Sequence, residues 1–453
     1  MFCAKTCWDR PARAQDALVQ VLRSLALMHV TAARMLRFLR TAAPLLCVAL
    51  VSCPFRSEAQ GDVLSDPVRL TQVVTYAASH RAEIQVARAR QAAAEQRTRV
   101  VGVVEDPMVM PSLDHVPFMG HGADMSFMLE QRFPLSGLLG HRKRSAQANA
   151  RRLAYDVARA GLDVVLEAVD AYWMLYEQRA MLRIVGEQLS LARVLVAAAA
   201  GRYGAGTSVL PDVLRTEIEV ARLEGAERAL AAQVRAAEAM LNASLARAAQ
   251  TPVPELGEEP FLAEPPVLTK LSQQAFALRP ELLAGQEEIR RADADVDVMR
   301  SMVRPMGLVR TGPAYTMADG WGFMALVGVS VPIFRQKNRA TIAEAKSMSE
   351  MARADLSAMR NMVQGTVASA REDVLAARTR VLVFRDDVLP RAKLAVDAVT
   401  AAYTAGNVPM VSALDTARAL WTAQQELVMA EVSVGMAWAR LGRAVGRFES
   451  EAP

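Results

Sequence analysis

The sequence predicts a mainly α fold in which long coiled-coil helices carry a small β part. Apolar residues recur at spacings of three and four over long uninterrupted segments, which is the pattern of a coiled-coil seam. Shorter segments alternate apolar and polar residues, as strands do. The same order of patterns occurs twice, at an offset of 198 to 200 residues. We therefore expect two similar halves rather than a row of compact domains.

Composition excludes several classes of function. Aromatic residues make up only 5% of the 453 residues, which disfavours a compact enzyme with an aromatic core. The net charge of +5 belongs to residues 1–59, because the remainder holds 45 basic and 45 acidic residues. A neutral body offers no electrostatic footprint for nucleic acid. All four cysteines lie in residues 1–59, so the body has neither a disulfide framework nor a cysteine metal site or nucleophile.

This leader has the order of a secretory signal. Arg37 and Arg40 precede an apolar stretch that ends at Val51, and Ser57-Glu58-Ala59 supplies a cleavage site. The apolar stretch is too short to cross a bilayer as a helix, which needs about 20 residues. We therefore expect export with cleavage after Ala59. Alternatively, Leu50-Val51-Ser52-Cys53 resembles a lipobox, in which case Cys53 is lipidated and becomes the mature N-terminus.

Repeated motifs divide the body into two halves. Arg81-Ala82-Glu83 recurs as Arg279-Pro280-Glu281, and Tyr203-Gly204-Ala205-Gly206 recurs as Tyr403-Thr404-Ala405-Gly406. A segment rich in proline and glutamate separates the halves, and its prolines cannot continue a helix. The predicted domains are a leader (1–59), a first repeat (60–249), a connector (250–267), a second repeat (268–447) and a C-terminal tail (448–453).

Each half is predicted to contain a long helical hairpin. After a shorter helical segment at 66–103, an uninterrupted helix runs from Gly137 to about Arg202, a rod of roughly 95 Å at 1.5 Å per residue. Its return leg runs from 207 to about 249, and the second half repeats the pair over 336–402 and 408–447. Glycines at both tips end one helix before the next begins. We expect Gly206 and Gly406 to adopt a left-handed backbone.

Between the helices the apolar period drops to two. Residues 125–133 and 321–333 alternate, and weaker partners lie upstream near 108–119 and 306–316. Strands about ten residues long suit an outer-membrane barrel, with Phe323, Val327 and Val329 toward lipid and Trp321 at the interface. A small soluble sheet packed on a helix is the alternative. Four strands cannot close a membrane barrel, so strands of several subunits must be pooled.

These features resemble the TolC-like outer membrane factors, which are exit ducts of tripartite efflux pumps and type I secretion systems. The resemblance covers residues 62–448 and rests on the duplication and on three motifs: Gln131-Arg132-Phe133-Pro134-Leu135, Val331-Pro332-Ile333-Phe334 and Arg202-Tyr203-Gly204-Ala205-Gly206. It implies a homotrimer whose pooled strands form a β-barrel in outer-membrane lipid and whose helices form a hollow α-barrel through the periplasm. It also implies two partners, a periplasmic adaptor protein and an inner-membrane transporter of the RND type.

The resemblance further assigns roles at the helical tips. It implies that Tyr403 is the tyrosine of the periplasmic gate and that Asp415 is one of two acidic residues that narrow the closed end. Ser412 stands at the second acidic position and Val408 at the position of a gating arginine, so this sequence keeps half of the pattern. The residues expected at the adaptor-docking tips are Tyr203, Gly206, Asp212 and Gly406.

No catalytic, cofactor-binding or metal-binding motif is found in the sequence. The histidines of the body lack the spacing of a metal-binding helix, and no Gly-rich phosphate loop follows a strand. Residues 108–128 contain five methionines together with His115 and His121, and thioethers suit Cu(I). Methionine is also a flexible filler of apolar faces, which is the interpretation that we favour. We expect no enzyme activity.

The expected function is that of a passive exit duct. Residues 106–117 look like the corresponding segment of family members that serve heavy-metal efflux pumps, so heavy-metal cations are the expected substrates. Drug efflux and type I secretion are alternatives within the family. A periplasmic coiled-coil adaptor is an alternative outside it, but adaptors carry one helical hairpin, whereas this sequence predicts two.

Overall fold

A computed structural model describes residues 64–114, 123–257 and 260–448 of the chain. Most of these residues are helical, and a small antiparallel sheet accounts for the strands. The predicted fold class, mainly α with a small β part, is therefore confirmed. The leader with Cys53 and the end of the predicted first strand, including His115, lie outside the described residues.

The order of elements in the first half recurs in the second. The first half contains α1 (Leu70–His80), α2 (Ala82–Val100), β1 (Met108–Asp114), β2 (Asp124–Pro134), α3 (Leu138–Gly204) and α4 (Leu210–Ser244). The second half contains α5 (Leu268–Leu278), α6 (Pro280–Met302), β3 (Met306–Thr316), β4 (Gly320–Val329), α7 (Arg335–Val383), α8 (Leu389–Thr404) and α9 (Met410–Val445). Both long hairpins lie where the periodicity predicts them.

The first helical segment of each half is broken at the repeated arginine. Arg81 and Arg279 have extended backbone, with ψ of 132° and 118°, so the helical segment expected at 66–103 consists of two helices. The Arg81 guanidinium donates to the carbonyl of Ser244 at 2.9 Å, and Arg279 donates to the carbonyl of Ala444 at 3.3 Å. Carbonyls at helix ends lack partners within the helix. The repeated motif thus ties each break to the end of the return helix.

The long helix of the second half contains one irregular turn. A π-helical turn at Phe384–Val388 joins α7 to α8. Pro390 is the second residue of α8 and has no N–H to donate. A π-helical turn beside the proline lets the helical path continue without a break.

The sheet joins the two halves of the chain. Its strand order is β1-β2-β3-β4 and every pair is antiparallel, with β2 and β3 from different halves paired through Glu130 and Arg310. Strand β4 ends at Val329, four residues earlier than predicted. The Ser330 N–H donates a final backbone hydrogen bond toward β3, to the Met306 carbonyl at 2.9 Å. Pro332 has no N–H and cannot donate a further one. Within the described residues, β1 and β4 are free edges.

The long helices approach each other closely at a small residue. Tyr172 and Trp173 of α3 are buried, and the Trp173 ring lies over Gly435 of α9. A Cβ at Gly435 would lie 2.1 Å from that ring, so no larger residue fits without a shift. This contact holds the long helices of the two halves together.

Candidate functional site

The two helical tips have the same backbone geometry. Gly206 has φ of 71° and Gly406 has φ of 82°, which confirms the predicted left-handed conformation. The N–H of Thr207 donates to the Arg202 carbonyl and that of Asn407 to the Ala402 carbonyl, both at 2.9 Å. These bonds satisfy carbonyls at the ends of α3 and α8 and reverse the chain.

Arg202 joins the two tips. Its guanidinium donates to the backbone carbonyl of Tyr403 and lies 4.8 Å from the centre of the Tyr403 ring. A cation over an aromatic face is attracted by the ring quadrupole. A further bond, to the carbonyl of Thr207 at 3.2 Å, holds Arg202 against its own tip. The tip of the first hairpin is thereby fixed to that of the second within one protomer.

The tyrosines of the two tips occupy opposite environments. Tyr403 is 1% exposed, whereas Tyr203, its counterpart in the first half, is 48% exposed. Burial raises the pKa of the Tyr403 hydroxyl; the charge of Arg202 acts against this rise and that of Asp212 adds to it. Tyr403 therefore packs inside the protomer, and Tyr203 is free to meet a partner.

Asp212 lies in the first turn of α4, directly behind the first tip. Its carboxylate accepts a hydrogen bond from the Ser208 hydroxyl at 2.9 Å. An acidic residue here is stabilised by the partial positive charge of the helix N-terminus. Asp212 thus fixes the geometry of the tip that also contains Gly206.

Further along the hairpins, a charge cluster connects α4 to α9. Glu219 is buried and accepts a hydrogen bond from Arg418, with 2.6 Å between Oε2 and Nη2. This hydrogen bond raises the pKa of Arg418. The Asp415 carboxylate is 65% exposed and lies 3.5 Å from Nη1 of Arg418. Tyr403 and Asp415 therefore belong to separate clusters of the tip region.

The sheet has two chemically different faces. Alternate residues of its strands point to opposite sides. One side holds exposed apolar residues: Phe127, Leu129, Trp321, Phe323 and Val327. On the other side Glu130, only 2% exposed, accepts hydrogen bonds from Nε of Arg132 at 2.9 Å and Nε of Arg310 at 3.0 Å.

Comparison with known proteins relates part of this chain to a known family. The sequence profile described as "Outer membrane efflux protein" matches residues 271–447, which include β3, β4 and the second helical hairpin. Over these residues the chain is similar to the outer membrane efflux protein family. This confirms the resemblance drawn from the sequence and the predicted location in the outer membrane with an extension into the periplasm.

Matches to curated relatives of this chain extend beyond the second half. The chain is 25% identical over 297 residues to the outer membrane efflux protein BepC of Brucella suis biovar 1, covering 64% of each chain. It is 24% identical over 288 residues to the cobalt-zinc-cadmium resistance protein CzcC of Cupriavidus metallidurans, covering 62% of this chain and 68% of CzcC. The alignment with BepC thus spans less than two thirds of either protein.

A solved structure supports the fold of this chain over a longer range. The channel CusC superposes with a TM-score of 0.74 at 15% identity, covering 84% of this chain and 92% of CusC. At this identity the likeness concerns the fold alone. It agrees with the helical hairpins and the antiparallel sheet described above.

Three charged residues of the site were not singled out by the sequence. Arg202 was noted only as part of the tip motif, yet its counterpart in the second half is Ala402, and this difference between otherwise similar tips was a usable signal. Glu219 and Glu130 gave no such signal. Their partners lie 199 and 180 residues away, and only the folded chain brings them together.

Proposed function

We propose that this protein is the outer-membrane exit duct of a tripartite efflux system. The observation that carries the proposal is the open four-stranded sheet, which has one exposed apolar face and free edges at β1 and β4. Unpaired strand edges are prohibitively costly in lipid. A homotrimer in which β1 of one protomer pairs with β4 of the next would remove every edge.

The helical hairpins suggest how such a duct would meet its partners. With 67 residues, α3 is about 100 Å long at 1.5 Å per residue, so the tips lie far from the sheet along this helix. We assign the tips with Tyr203, Gly206, Asp212 and Gly406 to docking of a periplasmic adaptor protein. Tyr403 and Asp415 are assigned to the closable end. An inner-membrane transporter of the RND type would supply the energy, because transport through a duct is passive.

Heavy-metal cations are the substrates that we propose. The support is the similarity to CzcC, whose name records resistance to cobalt, zinc and cadmium. BepC, to which the chain is equally similar, is named only as an efflux protein. A deletion strain exposed to cobalt, zinc, cadmium, copper and silver and to a panel of drugs separates the two substrate classes. Metal sensitivity restored by the wild-type gene is expected, and drug sensitivity alone would contradict the assignment.

The duct itself is tested by fractionation. Detergent extraction should recover a trimer from the outer-membrane fraction, and the purified trimer should conduct ions across a planar bilayer. A soluble monomer in the periplasmic extract would instead indicate an adaptor or scaffold. This measurement does not depend on the substrate and therefore tests the architecture alone.

A further inference from the structure

Methionines form a row across the charged face of the sheet. Met110 is paired directly with Met128, and Gly312 is paired directly with Met324. A Cβ on Gly312 would lie 3.1 Å from the Cα of Met128, so these two residues are neighbours as well. The row therefore runs Met110, Met128, Gly312, Met324 over β1, β2, β3 and β4.

The three methionine side chains line one cavity of about 390 Å³. Adjacent strands are about 4.8 Å apart, and methionine has three rotatable bonds, so thioethers separated by two strands can approach each other. Gly312 places no side chain between Met128 and Met324, and the β2 backbone approaches it so closely that a Cβ there would lie 2.0 Å from the Phe127 carbonyl oxygen. Met128 is 5% exposed and Met324 is 49% exposed, so the cavity reaches from the sheet surface into its interior.

These methionines do not fill the apolar face. They share their side of the sheet with Glu130 and Arg310, whereas Phe127 and Phe323 lie on the other side. The inference rests on the proposed function in one respect, namely that the apolar side meets lipid. The side with the charged residues then lines the pore. The expectation that methionines of this segment are only apolar filler does not account for methionines that line one cavity together with two aspartates and Arg310.

The surroundings of the row suit a cation. One step beyond Met110 and Met128 along the strands, the hydroxyls of Ser112 and Ser126 are hydrogen-bonded at 2.6 Å. The next step holds the directly paired carboxylates of Asp114 and Asp124, which also line the cavity. Two adjacent carboxylates lower the electrostatic potential at the cavity entrance.

The one guanidinium among the described lining residues is already engaged. Arg310 donates to the buried carboxylate of Glu130 through Nε at 3.0 Å and also through Nη2. Its charge is therefore largely compensated by a partner on the neighbouring strand. Arg310 therefore repels a cation in the cavity less than an arginine without a partner would.

We infer that Met110, Met128 and Met324 form a binding site for a soft monovalent cation, Cu(I) or Ag(I), on the wall of the pore. Neutral thioethers favour soft ions of this kind, whereas Zn²⁺ prefers thiolate, imidazole or carboxylate and Mg²⁺ prefers oxygen. One site per protomer would hold the ion weakly enough to release it, as a conduction pathway requires.

The test is silver binding to the exported, processed protein purified in detergent, which no longer carries the free thiols of the leader, measured by calorimetry in a chloride-free buffer. The test variant is Met110→Leu/Met128→Leu/Met324→Leu, which conserves volume at each position. The matched control is Met348→Leu/Met351→Leu/Met362→Leu, which replaces three exposed methionines of α7. We expect about one Ag⁺ site per chain in the wild type and in the control. In the test variant its affinity should fall more than about tenfold, a loss comparable to that of a metal-supporting residue.

Two further measurements keep the result interpretable. Titration with Zn²⁺ should give no difference between the test variant and the control, because thioethers bind it poorly. Conductance of the test variant in planar bilayers should equal that of the wild type, since leucine leaves the pore lining in place. Silver binding that survives in the test variant, or that is absent from the wild type, would overturn the site while leaving the duct intact. If the wild-type protein does not conduct ions in planar bilayers, that result would overturn the proposed function instead.

Discussion

Arg418 of α9 and Glu219 of α4 form a hydrogen-bonded ion pair of 2.6 Å that links the two helical hairpins near their tips. The Glu219 side chain is only 3% exposed, whereas that of Arg418 is 47% exposed. A second arginine, Arg222, lies 3.5 Å from the other carboxylate oxygen but is 72% exposed. Glu219 therefore depends chiefly on Arg418 for compensation of its buried charge.

Arg418→Ala should destabilise the tips because it leaves the Glu219 carboxylate buried without its close donor. Loss of such a partner costs about 1 kcal/mol or more. Arg222→Ala is the matched control, because exposed pairs contribute less than about 1 kcal/mol. Thermal unfolding in detergent and the open fraction in planar bilayers should both change for Arg418→Ala. Equal behaviour of the two variants would contradict a structural role for the link between α4 and α9.

The orientation of the sheet is tested by placing a charge on each face. Val327→Arg puts a cation on the apolar face, where we expect lipid, at a cost of about 2 to 4 kcal/mol near the bilayer midplane. Met108→Arg is the control at a similar depth, because Met108 pairs with Glu130 on the charged face. Outer-membrane trimer yield should fall for Val327→Arg and stay near the wild-type level for Met108→Arg. Equal trimer yields of both variants would refute the assigned orientation.

The tip glycines are tested by a β-branched residue. Gly206→Val and Gly406→Val force a side chain into the left-handed region at a cost of about 1 to 3 kcal/mol each. We expect loss of efflux in metal-sensitivity assays with trimers still present in the membrane. Gly204→Ala is the control, since Gly204 is helical and a Cβ there meets no neighbour. Normal efflux by both valine variants would show that the tips tolerate distortion and are not where a partner binds.

Local patterns predicted the elements of this fold, and contacts across the chain escaped them. The alternation of residues 125–133 located β2, and the glycine at each tip located a left-handed turn, because both features depend on neighbouring residues. The pairing of Glu130 with Arg310 depends on the register between strands of different halves. Arg202 marked one tip as different, but its contact with Tyr403 joins residues 201 positions apart, which only the folded chain brings together. Long-range electrostatics thus decided the details of the candidate site.

Acid should weaken the contact between α6 and α9. Burial raises the pKa of Glu281, but the hydrogen bond from Arg443, a backbone hydrogen bond and the charges of Arg443 and Arg279 together outweigh it, so the pKa lies below the usual 4.5. A carboxylate with a lowered pKa contributes stability above its unfolded pKa and loses it as the pH falls through the folded value. Glu281→Gln should therefore lower the melting temperature at pH 7, and the difference from the wild type should shrink below about pH 4.5.

The control for this pH dependence is Glu372→Gln on α7. The Glu372 side chain is 68% exposed and pairs only with its neighbour Arg371. Exposed pairs of this kind contribute little to stability. The melting temperature of Glu372→Gln should therefore equal that of the wild type at every pH. A difference for Glu281→Gln that does not change between pH 7 and pH 3.5 would contradict the linkage.

Asp415 tests whether the duct has a charged mouth. In a homotrimer its three carboxylates would converge near the axis, and each pair would repel by on the order of 1 kcal/mol at separations of several ångströms. Such a ring favours cations and binds multivalent ions that block the pore. Against this, Asp415 lies 3.5 Å from Arg418, whose charge would weaken the ring.

The two roles of Asp415 separate in single-channel recordings. Asp415→Ala should lower cation preference and relieve block by multivalent cations if the carboxylates face the pore. Glu372→Ala is the control, because it removes an exposed acidic residue of α7 about 50 Å from the tip at 1.5 Å per residue. The double variant Asp415→Ala/Arg418→Ala decides the remaining case. If Asp415 acts only by orienting Arg418, ion selectivity will be unchanged in Asp415→Ala. The double variant will then gate like Arg418→Ala alone, because the effects of two residues that act as one unit do not add.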